Sequence, residues 1–414
     1  MRKWLFPTMM LLLIAALVLA GCGPTDEPTE EPQPTEAPAA TEAPEPTQAP
    51  EPSDEALKVG MVSDVGGIDD ASFNENTWEG LQRAQEELGV QAQFIESQAQ
   101  ADYEKNITEF GEQDYDMIIT VGFLLGDATA KMAEVYPEVN FAIIDFAYDP
   151  PIDNVAGIVF NVDEAAFPIG YLAAGWAVLQ DPDDPQIGYV GGMQIPPVEQ
   201  FIVAYEAGAN YYNEQKGTDV QVKGVYVGDF EAPDEGKIQG QSLIDEGVDV
   251  IFGVGGKTGN GGLAAAKENG KWGVGVDVDQ YFTLPNEKDI LITSCMKRLD
   301  NAVFSVVESA QNDAFPGGGV YVGTLANGGV GLAPYHDFEG EVPDELKDEV
   351  DVIIAGIKAG EINTGWPVGE TTEPPEPAGP PLKVGMVSDV GGIDDASFNE
   401  NTWEGLQRAQ EELG

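Results

Sequence analysis

Cysteine and histidine are almost missing from this 414-residue chain, which has two cysteines, Cys22 and Cys295, and one histidine, His336. The contexts of Cys22 and Cys295 differ too much for a disulfide between them, so each needs its own explanation. A Ser/His/Asp or Cys/His catalytic system would have to be built around His336, and no GxSxG nucleophile motif is present. Zinc ligands are similarly scarce. Positive charge is also short: 19 Lys and Arg stand against 73 Asp and Glu, a formal net charge of -54. Such a surface repels phosphate backbones and anionic lipid headgroups, which excludes nucleic-acid polymers as partners. The acidity reads as a solvated surface together with acidic linkers.

Long apolar runs are missing too, apart from Leu5 to Ala20, which follows the basic pair Arg2 and Lys3 and ends in small residues. Residues 1–22 therefore read as a signal peptide, because the run falls short of the roughly 20 residues that span a bilayer. Its end, Leu19-Ala20-Gly21-Cys22, resembles the bacterial lipobox and makes Cys22 the expected lipidation site. The mature chain is then expected outside the cytoplasm, lipid-anchored at the bacterial cell membrane. Residues 23–56, rich in Pro, Glu and Thr, hold no large apolar residue and cannot build a core. They read as an extended spacer, and a second proline-rich linker covers 368–381.

One stretch occurs twice: Leu57 to Gly89 is repeated without change at Leu382 to Gly414. Residues 382–414 read as a truncated start of a second copy of the domain at 57–367. Within the first copy, LKVGMV reads as a buried strand. SFNENTWEGLQRAQEEL has helical spacing, with Trp78, Leu81, Ala84 and Leu88 on one face and Gly89 as C-cap. The polar loop between them sits at a strand's carboxyl end and a helix N-terminus, a position where ligands bind. Further strands are expected at 90–97, 115–122, 140–146, 186–192, 220–228, 248–255, 271–278 and 290–296, with helices between most of them. The alternation predicts an α/β protein with parallel sheets. Nine strands are too many for one comfortable sheet, and the turn DPDDP at 181–185 follows a long helix. Two doubly wound lobes with a ligand cleft between them are therefore expected.

The segments DVGGIDDASFN (64–74), FAIIDF (141–146), IGYVGGMQIPPVEQFIVAYEAG (187–208), GVGGKTGNGG (253–262), GVDVDQ (275–280) and ITSCMKR (292–298) together resemble the basic membrane protein family of bacterial substrate-binding lipoproteins. Its best-understood members are purine nucleoside receptors. The resemblance covers roughly 57–366 and implies a type I periplasmic-binding-protein fold: two lobes, three crossing segments, and a ligand handed to an ABC permease. It places Asn74 and Asp145 on the purine edge, Phe201 against the base, and Asp277 and Lys297 on the ribose hydroxyls. Gly255 would let the backbone approach the ligand. The family pattern carries an aromatic residue just before the DVGG segment, where this chain has Ser63. Phe73, Phe123 or Tyr281 would then supply that wall of the site, or the ligand is something other than a purine nucleoside.

Blander roles stand beside these. Asp70 has the position of a helix cap as well as of a ligand contact, Asp64 fits either role, and Phe73 fits core and cleft equally. GVGGKTG is no phosphate loop, since the pattern needs glycine where Ile251 stands. Asp277 and Asp279 lack the rest of a calcium loop, and neither metal nor cofactor is expected. Cys295 reads as a small buried core residue. Three functions remain: a monomeric binding protein delivering a nucleoside to an ABC importer, a sensory binding protein of the same fold, and a nucleoside-cleaving enzyme using Asp145, Asp277 and Lys297 as acid/base groups.

Overall fold

The computed structural model describes residues 56–367; the signal peptide, Cys22, both linkers and the second copy of the repeat lie outside the described residues. The first lobe is built from β1 (Lys58–Val62), α1 (Phe73–Leu88), β2 (Gln91–Ile95), α2 (Tyr103–Gly111), β3 (Met117–Val121), α3 (Gly126–Val135), β4 (Asn140–Ile144) and β5 (Val155–Phe160). After α4 (Asp163–Gln180) the second lobe repeats the plan: β6 (Gln186–Gly191), α5 (Pro196–Lys216), β7 (Gln221–Tyr226), α6 (Pro233–Asp245), β8 (Val250–Val254), α7 (Gly256–Glu268), β9 (Trp272–Asp277), the single-turn α8 (Gln280–Thr283) and β10 (Leu291–Lys297). The described residues close with α9 (Leu299–Gln311), β11 (Val320–Gly323), β12 (Val330–Leu332) and α10 (Asp344–Lys358).

Two six-stranded sheets result, in the orders β11-β5-β4-β3-β1-β2 and β12-β10-β9-β8-β6-β7, parallel throughout except for β12 against β10. The two orders match position by position, so each strand has a topological equivalent in the other lobe. The central strands β3 (MIITV) and β8 (VIFGV) are buried at every position, as apolar runs covered by helices on both faces must be. All nine expected strands are present. Three more, β5, β11 and β12, were not foreseen. Two of them are short sheet-edge strands of three and four residues with little apolar alternation to show.

The chain passes between the lobes after β5, after β10 and between β11 and β12, giving three crossings. The helices entering at the first two crossings pack on the far lobe: α4 lies along α5, and α9 lies along α1. The α4–α5 contact needs glycine. A Cβ on Gly170 would sit 2.0 Å from the Tyr205 carbonyl oxygen, and one on Gly208 would sit 1.9 Å from that of Phe167. Cys295 is fully buried in β10, where desolvation pushes its thiol pKa up. Among the described residues, no helix is long and apolar enough to cross a membrane.

Candidate functional site

In a parallel sheet the loops that follow the strands all open at the same edge, and here those edges of the two sheets face one cleft. β1 leads into Asp64 and β3 into Gly122 and Phe123. β4 leads into Asp145, β8 into Gly255, β9 ends on Asp277, and β10 ends on Lys297. Together with Asp70, Phe73 and Asn74 at the start of α1, and Ile195, Pro197, Val198 and Phe201 at the start of α5, they enclose about 550 Å³ of empty space, part of it open to solvent. That is the size of a small-molecule site.

Asp64 and Asp70 are nearly inaccessible and share the Asn74 side chain, whose Nδ2 donates to Asp64 Oδ1 at 2.9 Å and to Asp70 Oδ2 at 3.3 Å. Asp70 also accepts the backbone N–H groups of Ser72, Asn74 and Glu75 at 3.0, 2.9 and 3.2 Å, which is the work of a helix cap. Burial pushes Asp64 up to about 6, with the bonds from Asn74 and Gly66 opposing it. Burial likewise pushes Asp70 up to about 7 against its three backbone donors. With its nitrogen committed to two carboxylates, Asn74 keeps a buried Oδ1 that has no partner among the described residues. An orphaned acceptor in a polar cavity is costly, and a donor from a ligand would relieve it.

Lys297 is 2% exposed, and its Nζ donates to Asp145 Oδ2 at 2.5 Å. The ammonium also lies 4.8 Å from the ring centroid of Phe73, 5.3 Å from that of Phe160 and 5.9 Å from that of Phe201, so aromatic faces surround the rest of it. Asp277 is pushed up to about 6 by burial, with the Lys297 charge pulling it down. Asp277 stands at φ 63°, at the apex of a three-residue turn in which the Val278 N–H donates to the Val276 carbonyl at 2.7 Å. Such turns are strained and occur where a site fixes them. Its carboxylate makes no hydrogen bond among the described residues, which leaves a second acceptor facing the cavity. Gly255, at φ 139°, brings its backbone so near Gly192 that an added Cβ would lie 2.4 Å from the Gly192 nitrogen.

The cavity thus gathers Asp70, Phe73, Asn74, Asp145, Phe201, Gly255, Asp277 and Lys297. Ser63 is the exception. It is fully buried outside the cavity, its hydroxyl donating to the Asp64 carbonyl at 2.9 Å and accepting the Ser97 N–H at 3.4 Å. A side chain directly after β1 points into the lobe, while the next residue, Asp64, points into the cleft. Of the three aromatic substitutes, Phe73 and Phe123 line the cavity. Tyr281 stacks instead on His336 at 4.0 Å between ring centroids, away from the cavity lining. Asp145 and Lys297, expected at opposite ends of a ligand, are ion-paired to each other. Reading the sequence missed Phe230, Ile195, Pro197 and Val198. The proline pair opening a helix was the available signal for the last three.

Two α/β lobes joined by three crossings around a polar cleft with aromatic walls define a solute-binding protein of the type I periplasmic class. Residues 57–371 match the family model for ABC transporter substrate-binding proteins of the PnrA-like type, and the chain belongs to this Bmp family. It is 31% identical over 316 residues, 72% of this chain and 87% of the relative, to the ABC transporter nucleoside-binding protein BmpA of Lactococcus lactis. It is 33% identical over 284 residues to an uncharacterized lipoprotein of Pyrococcus furiosus, covering 67% of this chain and 70% of the relative. Among solved structures, an ABC transporter solute-binding protein from Aeropyrum pernix K1 superposes with a TM-score of 0.70 at 31% identity, covering 74% of this chain and 92% of that one. The protein is a substrate-binding component of ABC import and not an enzyme, so the nucleoside-cleaving alternative falls.

Proposed function

We propose that the protein captures a nucleoside, with a purine as the base, outside the cytoplasm and delivers it to an ABC permease. The observation that carries this reading is the pair of free acceptors in one cavity, Asn74 Oδ1 and the Asp277 carboxylate, set among the rings of Phe73, Phe123, Phe201 and Phe230. A nucleoside brings what these lack: a diol that donates to a carboxylate, base N–H groups that donate to an amide oxygen, and a flat face for aromatic walls. Its lack of charge also suits the site. Four carboxylates and one ammonium line the cavity, so a phosphate group would meet repulsion. The name of the Lactococcus relative supports the same ligand class.

In this reading Cys22 carries the lipid anchor and residues 23–56 hold the 57–367 domain off the membrane. The lipoprotein name of the Pyrococcus relative agrees with the anchor. The test is a thermal-shift screen of the full chain against nucleosides, free bases, ribose and nucleoside monophosphates, since a ligand of the native state raises apparent stability by mass action. Inosine or guanosine should raise the midpoint, and the matching monophosphate should not. A shift with ribose or a free base and none with any nucleoside refutes the reading.

A further inference from the structure

The loop from Asp64 to Ser72 belongs to the first lobe by sequence, yet its last carbonyls are held by the second. Asn260 Nδ2, on α7, donates to the Asp70 carbonyl at 2.9 Å. Gln280 Nε2 and Thr283 Oγ1, both on α8, donate to the Ala71 carbonyl at 3.3 and 2.8 Å. Ala71 stands at φ 56°, a left-handed conformation that an alanine adopts only where its surroundings impose it, and this conformation turns its carbonyl toward α8. None of these three donors lines the ligand cavity.

Two of the three are also tied to each other and to the floor of the site, while Thr283 shares the Ala71 carbonyl with Gln280. Gln280 is fully buried, its Nε2 donates to Asn260 Oδ1 at 3.1 Å and its Oε1 accepts the Val276 N–H at 3.0 Å. Its backbone N–H donates to Ser294 Oγ at 3.1 Å. Val276 precedes Asp277, so one amide side chain connects the strained turn that presents Asp277 to the loop that presents Asp70, Phe73 and Asn74.

We propose that Asn260, Gln280 and Thr283 form a latch between the lobes. They set the closed fraction of the protein, and hence how fast a ligand leaves, without touching the ligand. The latch is made of neutral side chains on backbone carbonyls, so it acts independently of the buried charges of the site. It differs in this from the exposed Lys257–Asp69 pair at the cleft mouth, 2.6 Å apart, where the carboxylate is 78% exposed and contributes little. As positioning residues, the three affect release of any ligand that fills the cavity. The kinetic consequence rests on the nucleoside reading; the effect on closure does not.

The test compares wild type with Thr283→Val, which removes one hydroxyl at constant shape, and with Asn260→Ala/Thr283→Val. Stopped-flow release of inosine should speed up by about 3- to 10-fold for each bond removed, with the association rate within about 2-fold of wild type. A residue that only supported the fold would instead lower the ligand-free melting temperature and leave release unchanged, and that result overturns the proposal. Spin labels at the exposed positions Glu112→Cys and Glu214→Cys, one in each lobe and in a Cys22→Ser background, report closure directly. The ligand-free protein should show a short-distance population that shrinks in the double variant. A wild type that is wholly open, or a variant with the wild-type distribution, also overturns the latch. Should no nucleoside bind wild type, the nucleoside reading fails and the distance measurement alone decides the latch.

Discussion

Asp145 and Asp277 close topologically equivalent strands, β4 and β9, and both stand at φ 63°. Each lobe therefore offers one carboxylate, held in a left-handed backbone that aspartate tolerates better than most residues, and between them lies one buried ammonium. Lys297 satisfies Asp145 and leaves Asp277 free, so a symmetric backbone supports an asymmetric site: one carboxylate is neutralised by the protein, and the other awaits the ligand.

Ligand affinity should rise with pH. Asp277 is pushed up to about 6, and a hydroxyl donor from the ligand favours its ionised form. Binding below that value must expel a proton. Inosine affinity measured by calorimetry should fall from pH 7 to pH 5, and titrations in two buffers of different ionisation enthalpy should show proton release. Affinity that is flat across this range would remove Asp277 from the ligand contacts.

Stability of the ligand-free protein should run the other way. Asp64 and Asp277 have folded-state values of about 6, and Asp70 of about 7, against an unfolded value near 3.8, so the folded state holds more protons between those limits. Stability is then greatest near pH 4 and declines as pH rises to about 7, by on the order of 3–4 kcal/mol for each carboxylate. Urea denaturation midpoints across pH 4 to 7 measure this, and a saturating nucleoside should reduce the decline.

Lys297→Met leaves Asp145 buried without its cation and should cost about 3–5 kcal/mol. Adding Asp145→Leu removes the stranded charge and should restore most of that stability, without restoring nucleoside binding. Chemical denaturation gives the first quantity and calorimetry the second.

Phe123→Ala should weaken binding of a purine nucleoside by about 1–3 kcal/mol if the ring faces the base, and leave binding of free ribose unchanged. Ser63→Phe should not tighten binding. The serine lies inside the lobe with no exposed surface, so a ring there would disrupt packing. A tighter complex in a folded Ser63→Phe protein would contradict that placement.

Cys22→Ser should abolish metabolic labelling with palmitate and release the protein from membranes. The buried Cys295 is no alternative acceptor.

The sequence by itself determined the two lobes and most of the cleft. Apolar runs of five or six residues separated by helical periodicity leave few options but parallel sheets, and polar or glycine residues directly after such runs fall at the binding edge by geometry. The family resemblance, rather than spacing, points to Asp145, Gly255 and Asp277 and leaves Asp64 open between helix cap and ligand contact; the structure places all four on the cavity. The short edge strands β11 and β12 were not, because with three or four residues and one flank in solvent they show no pattern a window can detect. Only the tertiary structure decided that Ser63 turns inward while Phe123 faces the cavity, that Lys297 pairs with Asp145, and that Asn260, Gln280 and Thr283 grip carbonyls about 200 residues earlier in the chain. Those facts depend on how two separately folded sheets meet. No local spacing encodes a contact between side chains on one lobe and backbone on the other.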